Sequence, residues 1–141
     1  MPTRISDAEW QGDLKAGKGT VKLGSGAFES QYNFSSRFES GVGTNPEELI
    51  AAAHAACFSM ALSAGLSGAG HTVESVKTTA KVKVDPVAGG FEITSIQLVT
   101  EAKIPGIDKA EFDTIAAATK EGCPVSKALK AVPISLDAKL V

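Results

Sequence analysis

Two cysteines carry most of the chemical information in this chain. Cys57 lies in the uncharged run Ala53-His54-Ala55-Ala56-Cys57-Phe58-Ser59-Met60, and Cys123 opens Cys123-Pro124-Val125-Ser126. A cysteine attacks an electrophile only as the thiolate, and apolar burial opposes that ionisation unless a cation stands close by. His54 is the only ionisable neighbour of Cys57, so an activating charge has to arrive from elsewhere in the fold. Without it, Cys57 reads as a small buried hydrophobe. Cys123 is placed differently, because a Cys-Pro pair at a helix start leaves the sulfur beside free backbone N–H groups that favour the thiolate. Such a thiol can attack first, can resolve an oxidised partner, or can merely cap its helix.

The remaining candidates are few. Arg37 sits in Ser35-Ser36-Arg37-Phe38-Glu39-Ser40, a turn-rich stretch that can aim a side chain at a site, although taken alone it reads as a solvated surface arginine. Glu47 and Glu48 are explained by helix capping and the helix dipole without any function. Geometry limits what Glu47 can do, since it lies about 15 Å before Cys57 along one helix at about 1.5 Å per residue. It must act by orienting an arginine or across an interface from another subunit. His54, one helical turn before Cys57, is either a general base or a hydrogen-bonded core residue. His71 beside Gly70 reads as a loop residue. No C-x-x-C or H-x-x-x-H spacing supports zinc.

Composition narrows the class. With 141 residues the chain fits one domain, residues 1–141, and can bury a core without disulfide staples. The 14 Lys plus Arg against 16 Asp plus Glu leave no basic run for a phosphate backbone, so nucleic acid is not an expected partner. The polar start Met1-Pro2-Thr3-Arg4-Ile5-Ser6-Asp7 lacks the apolar stretch of a secretory signal, which points to the cytoplasm, where disulfides are transient and catalytic. The uncharged stretch 49–66 is rich in Ala, Ser and Gly and reads as a buried core helix rather than a bilayer span.

The elements that must position these residues follow from patterning. Strands are expected over 8–14, 19–23 and 27–34, with turns at Lys15-Ala16-Gly17-Lys18 and Gly24-Ser25-Gly26. Asn45-Pro46-Glu47-Glu48 starts a helix with a cap, a proline at its first position and two acids in its first turn, and the helix runs to about Leu66. Alternating segments 73–84 and 91–104 form a hairpin with one wet face. An amphipathic helix over 108–121, a short helix from Cys123-Pro124 to Lys130 and a strand over 132–140 complete the chain. The order gives an α+β fold with segregated elements.

The segment from Gly43-Thr44-Asn45-Pro46-Glu47-Glu48 through Ala55-Ala56-Cys57-Phe58-Ser59-Met60 resembles the signature of the OsmC/Ohr family of thiol peroxidases. Gly122-Cys123-Pro124-Val125-Ser126 resembles the second signature, and Arg37-Phe38-Glu39 with Ala55-Ala56-Cys57 is more similar to the OsmC branch than to the Ohr branch. The resemblance implies antiparallel sheets around long central helices in an interwound homodimer, with sites at the subunit interface. It also implies that Cys57 is the peroxidatic thiolate, Cys123 the resolving cysteine, Arg37 the cation beside the sulfur and Glu47 the carboxylate holding that arginine, with Glu48 the fallback. The implied reaction reduces organic hydroperoxides through a Cys57 sulfenic acid and a Cys57–Cys123 disulfide that an external dithiol reopens, a lipoylated protein among the candidates. No metal, haem, flavin or other cofactor is required. Apolar lining, with Phe58 and Met60 as contributors, would favour organic hydroperoxides over hydrogen peroxide. The competing readings are a redox sensor or thiol-bearing binding protein that uses the same pair, and a purely structural disulfide.

Overall fold

A computed structural model describes residues 1–141. In chain order it has strands β1 (Ser6–Gln11), β2 (Lys18–Leu23) and β3 (Glu29–Tyr32), then helices α1 (Phe34–Phe38) and α2 (Pro46–Gly68). Strands β4 (Ser75–Val87) and β5 (Gly90–Lys103), helices α3 (Lys109–Gly122) and α4 (Pro124–Ala128), and strand β6 (Ile134–Leu140) follow. The chain divides into two compact units, Met1–Leu49 and Ile50–Val141, with the boundary inside α2.

The first unit is an antiparallel sheet of order β1-β2-β3 followed by α1 and the start of α2. Gly19 pairs with both Trp10 and Tyr32 across the sheet. Their rings lie 5.3 Å apart, and a Cβ on Gly19 would meet the Tyr32 ring at 2.5 Å, so only glycine fits between them. The sheet turns β1 out earlier than the sequence pattern suggests. Gly12 takes φ +93°, and the Asp13 carboxylate accepts from the Lys15 and Ala16 N–H groups, so Leu14 belongs to a turn instead of a strand. The unit buries Gly19, Ser36, Thr44 and Glu47, and no large hydrophobic residue.

The second unit has an apolar core. Its sheet has the order β4-β5-β6, with β4 and β5 forming the expected antiparallel hairpin. Strand β6 pairs with β5 in parallel, because the chain crosses over through α3 and α4 before returning. That parallel pairing departs from the all-antiparallel sheets expected from sequence, within the α+β class. Along β5 the alternation is strict, with Ile96, Leu98, Thr100 and Ala102 buried on one face. Phe58, Leu62 and Leu66 of α2 and Phe112 and Ala116 of α3 complete the same core. Full burial of each large side chain contributes about 1.5–3 kcal/mol.

Polar contacts fix the helix register. Ser59 Oγ donates to Thr78 Oγ1 of β4 at 2.8 Å, Thr78 and Thr100 share a hydrogen bond, and Thr100 Oγ1 donates to the Lys77 carbonyl at 3.1 Å. Helix α2 is long and apolar enough to cross a membrane by length and composition, with 22% of that window buried within the chain. Its buried face follows the spacing 54, 58, 62 and 66, while Ala52, Ala53, Ala56, Met60 and Ala64 are exposed. The sequence reading of a helix buried on all sides therefore holds for one face of the single chain.

Candidate functional site

The four residues expected to do chemistry form two pairs. Cys57 and Cys123 lie in the second unit with their sulfurs 3.0 Å apart and sharing a hydrogen bond, both as free thiols. A disulfide needs about 2.05 Å, so roughly 1 Å of approach closes the bond. Arg37 and Glu47 lie in the first unit, where Arg37 Nη2 donates to Glu47 Oε1 at 2.8 Å and Nε donates at 3.2 Å to Oε2.

Local structure accounts for each placement. Asn33 caps α1 through a capping box, with its side chain accepting from the Ser36 N–H and Ser36 Oγ accepting from the Asn33 N–H. Ser36 Oγ also donates to the Thr44 carbonyl at 2.8 Å. This ties α1 to the loop before α2, so Arg37 stands on a capped helical turn rather than in the irregular turn expected from its flanks. The loop itself depends on Gly43, at φ +125°, where a Cβ would meet the Gln31 carbonyl oxygen at 2.6 Å. Asn45 Oδ1 then caps α2 by accepting from the Glu48 N–H, and Asn45 Nδ2 donates to the Ser36 carbonyl.

The two acids at the start of α2 divide their work. Glu48 accepts from Thr44 Oγ1 at 2.7 Å at the helix start, and Glu47 alone takes the arginine. The Glu47 side chain is 7% exposed and that of Arg37 33% exposed, so a nearly buried carboxylate clamps the fork and leaves part of the guanidinium open. The Arg37 Cζ lies 5.0 Å from the Phe38 ring centre. Beside it, Trp10, Tyr32, Phe34 and Phe38 line a cavity of about 270 Å³ together with Arg37. The sequence offers Phe58 and Met60 as apolar lining near Cys57. Phe58 is instead fully buried in the core and Met60 is 76% exposed on α2.

The thiol pair is asymmetric. Cys123 is fully buried at the N-cap of α4, with Pro124 following it, and Cys57 is half-buried on α2. Burial pushes the Cys57 thiol up, the hydrogen bond with Cys123 adds to that, and the Val125 N–H opposes it. Burial also pushes Cys123 up, but the hydrogen bond with Cys57, the N–H groups of Ser126 and Val125 and the Ser126 hydroxyl together bring it below the ordinary thiol range. Within one chain, then, the surroundings of Cys57 favour its thiol and those of Cys123 favour its thiolate. The demand read from the flanks of Cys57 remains, because none of the groups acting on its thiol is a cation.

His54 is fully buried, and its Nε2 lies 2.7 Å from Ser126 Oγ of α4. Burial lowers its pKa and keeps it neutral, which matches the reading as a hydrogen-bonded core residue. His71, read as a loop residue, lies after α2 and reaches Glu111 at 2.9 Å. Sequence reasoning gave Ser126 no role. The available signal was its spacing, since Ser126 follows Cys123 by the same interval at which His54 precedes Cys57.

A half-buried and a fully buried thiol thus meet between α2 and the start of α4, in an α+β unit with a mixed sheet. The OsmC-like protein family model matches residues 39–137, and the chain belongs to the OsmC family. It is 57% identical over 134 residues to "Peroxiredoxin OsmC" of Escherichia coli (strain K12), covering 94% of this chain and 93% of that protein. It is 34% identical over 103 residues to "Organic hydroperoxide resistance protein OhrB" of Bacillus subtilis (strain 168), covering 72% of this chain and 74% of that one. Among solved structures, an organic hydroperoxide resistance protein OsmC from Legionella pneumophila superposes with a TM-score of 0.70 at 25% identity, over 99% of this chain and 97% of that one.

Proposed function

We propose that this protein is a cysteine-based peroxidase that reduces organic hydroperoxides, and hydrogen peroxide more weakly, in oxidative or osmotic stress defence. The observation that carries the reading is the thiol pair at 3.0 Å, with Cys57 half-buried and Cys123 fully buried at a helix start. Cys57 is the peroxidatic cysteine, since a peroxide must reach the sulfur it oxidises. Cys123, fully buried yet held toward the thiolate, is the resolving cysteine.

Arg37 supplies the cation that Cys57 lacks, and Glu47 holds its fork in one orientation. The Cys57 thiolate attacks one peroxide oxygen, the O–O bond breaks, and the alkoxide leaves as an alcohol after taking a proton. Cys57 becomes a sulfenic acid, and Cys123 condenses with it to a disulfide with release of water. An external dithiol, such as a lipoylated protein, reopens the bond by exchange in a cytoplasmic setting. The aromatic cavity at Arg37 gives an alkyl or aryl tail apolar surface that hydrogen peroxide cannot use.

The working form is a homodimer. Support comes from the exposed small-residue face of α2 and from a first unit that buries polar groups without an apolar core, both of which a second copy can cover. Sedimentation of a stable, fully active monomer would rule that out. The test of function is turnover with an alkyl hydroperoxide and a dithiol. Rapid multiple turnover, faster than with hydrogen peroxide at equal concentration, supports the enzyme. A single oxidation without turnover would favour a redox sensor.

A further inference from the structure

The peroxidase reading leaves one buried ionisable side chain unused. His54 is fully buried and its Nδ1 has no hydrogen-bond partner, while Nε2 bonds Ser126 Oγ at 2.7 Å. A leucine would fill the same core position without an unsatisfied polar atom, so the histidine needs a reason.

The tautomer follows from what must stay unpaired. If Ser126 donated to Nε2, the proton on Nδ1 would be a buried, orphaned N–H, the rarer and costlier kind of unsatisfied group. If Nε2–H donates to Ser126 Oγ, only a bare lone pair at Nδ1 is left over. The Ser126 hydroxyl is then free to donate onward. Its direction is set by α4, because Ser126 lies one helical turn after Cys123 and 3% exposed, facing the same interior as that sulfur.

We propose that His54 is a positioning residue for the resolving cysteine: its Nε2–H fixes Ser126, whose O–H is thereby turned toward the Cys123 sulfur. The inference rests on the peroxidase reading for its place in the cycle. In the resolving step, the Cys123 thiolate attacks the sulfenic sulfur of Cys57. The S–S bond forms, and the S–O bond breaks with both electrons leaving on oxygen as hydroxide. That hydroxide takes up the proton which Cys123 released, giving water. Cys123 is oxidised, the Cys57 sulfur is reduced, and His54 stays neutral throughout. The Ser126 hydroxyl stabilises the attacking thiolate, an effect in line with the lowered proton affinity of Cys123. The histidine and the peroxidatic cysteine thus occupy successive turns of α2 opposite the serine and resolving cysteine of α4. The titratable groups of α2 at this pair are Cys57, 3.0 Å from the Cys123 sulfur, and His54, bonded to Ser126. Those on adjoining turns are Lys120 and Glu121 of α3, paired at 3.2 Å, and Lys127 of α4.

The experiment compares the full-length protein with His54→Leu, His54→Gln and Ser126→Ala. Single-turnover mixing with tert-butyl hydroperoxide resolves Cys57 sulfenic acid formation from disulfide closure. His54→Leu and Ser126→Ala are expected to slow closure roughly tenfold, the effect of one charge-assisted hydrogen bond, without slowing the first step. His54→Gln, which keeps an N–H donor, should restore closure to within about twofold. In a second arm on a Cys57→Ser background, the ultraviolet absorbance of the Cys123 thiolate against pH should move to higher pH in Ser126→Ala and His54→Leu, and return in His54→Gln. Unchanged closure and titration in Ser126→Ala, or a glutamine variant as slow as the leucine variant, would overturn the inference. If no variant forms a sulfenic acid, the peroxidase reading fails, while the titration still decides whether His54 acts on Cys123 through Ser126.

Discussion

The two units of this chain bury opposite things. Residues 50–141 close over Phe58, Leu62, Leu66, Ile96, Leu98 and Phe112, and they place a pair of thiols at the edge of that core. Residues 1–49 bury Ser36, Thr44 and Glu47, and they spend their interior on holding one guanidinium. Burial in an apolar core opposes thiol ionisation unless hydrogen bonds offset it, as they do at Cys123, and an arginine in a small polar unit is only a well-held charge. The difference lies in what each interior holds, a thiol pair against apolar side chains in one unit and a clamped guanidinium in the other.

The largest expected effect comes from breaking the polar side. Arg37→Ala should lower the rate of peroxide reduction about 100- to 1,000-fold, the range for removing a preorganised donor, while forced oxidation still closes the disulfide. Arg37→Lys should recover little, because a lysine has no fork to match the Glu47 carboxylate. Peroxide-dependent dithiol consumption reads both variants. Breaking the apolar side should show in stability instead. Phe58→Ala, at a fully buried position, is expected to cost about 3–5 kcal/mol in denaturant unfolding.

Glu47→Gln tests the clamp more gently. The amide can still accept from Arg37 but carries no charge, so turnover should fall about tenfold with little change in unfolding midpoint. The smallest effect is one of pH. Burial lowers the pKa of His54 from 6.5, so the unfolded chain binds that proton first as pH falls. This contribution to stability is complete above about pH 6.5 and is lost as pH drops below it. His54→Gln should flatten that part of a melting-temperature profile, which differential scanning calorimetry can follow.

Much of this was legible in the sequence because periodicity survives where one face is dry. The β4–β5 hairpin, the length of α2 to within two residues, and the Cys-Pro start of α4 could all be read from the chain. Short elements set by side chains were harder. Helix α1 is five residues long and is held by an Asn33–Ser36 box in which serine stands where a glutamate or glutamine is usual, so nothing in its composition marks a helix. The parallel pairing of β6 depends on a crossover that alternation cannot express. At the site, residue types and the family signatures pointed to Cys57, Cys123, Arg37 and Glu47; Arg37 pairs with Glu47, while Glu48 accepts from Thr44. Ser126 was missed because a serine acquires meaning only when the fold brings His54 to it.

The central claim is that Cys57 attacks and Cys123 resolves. Its most direct test is a count of free thiols after the reduced protein meets one equivalent of an alkyl hydroperoxide, in the wild type, Cys57→Ser and Cys123→Ser. The account predicts that the wild type loses both thiols quickly, Cys123→Ser loses its single thiol to a sulfenic acid, and Cys57→Ser loses none. Rapid loss in Cys57→Ser with none in Cys123→Ser would contradict it and make the buried Cys123 the nucleophile.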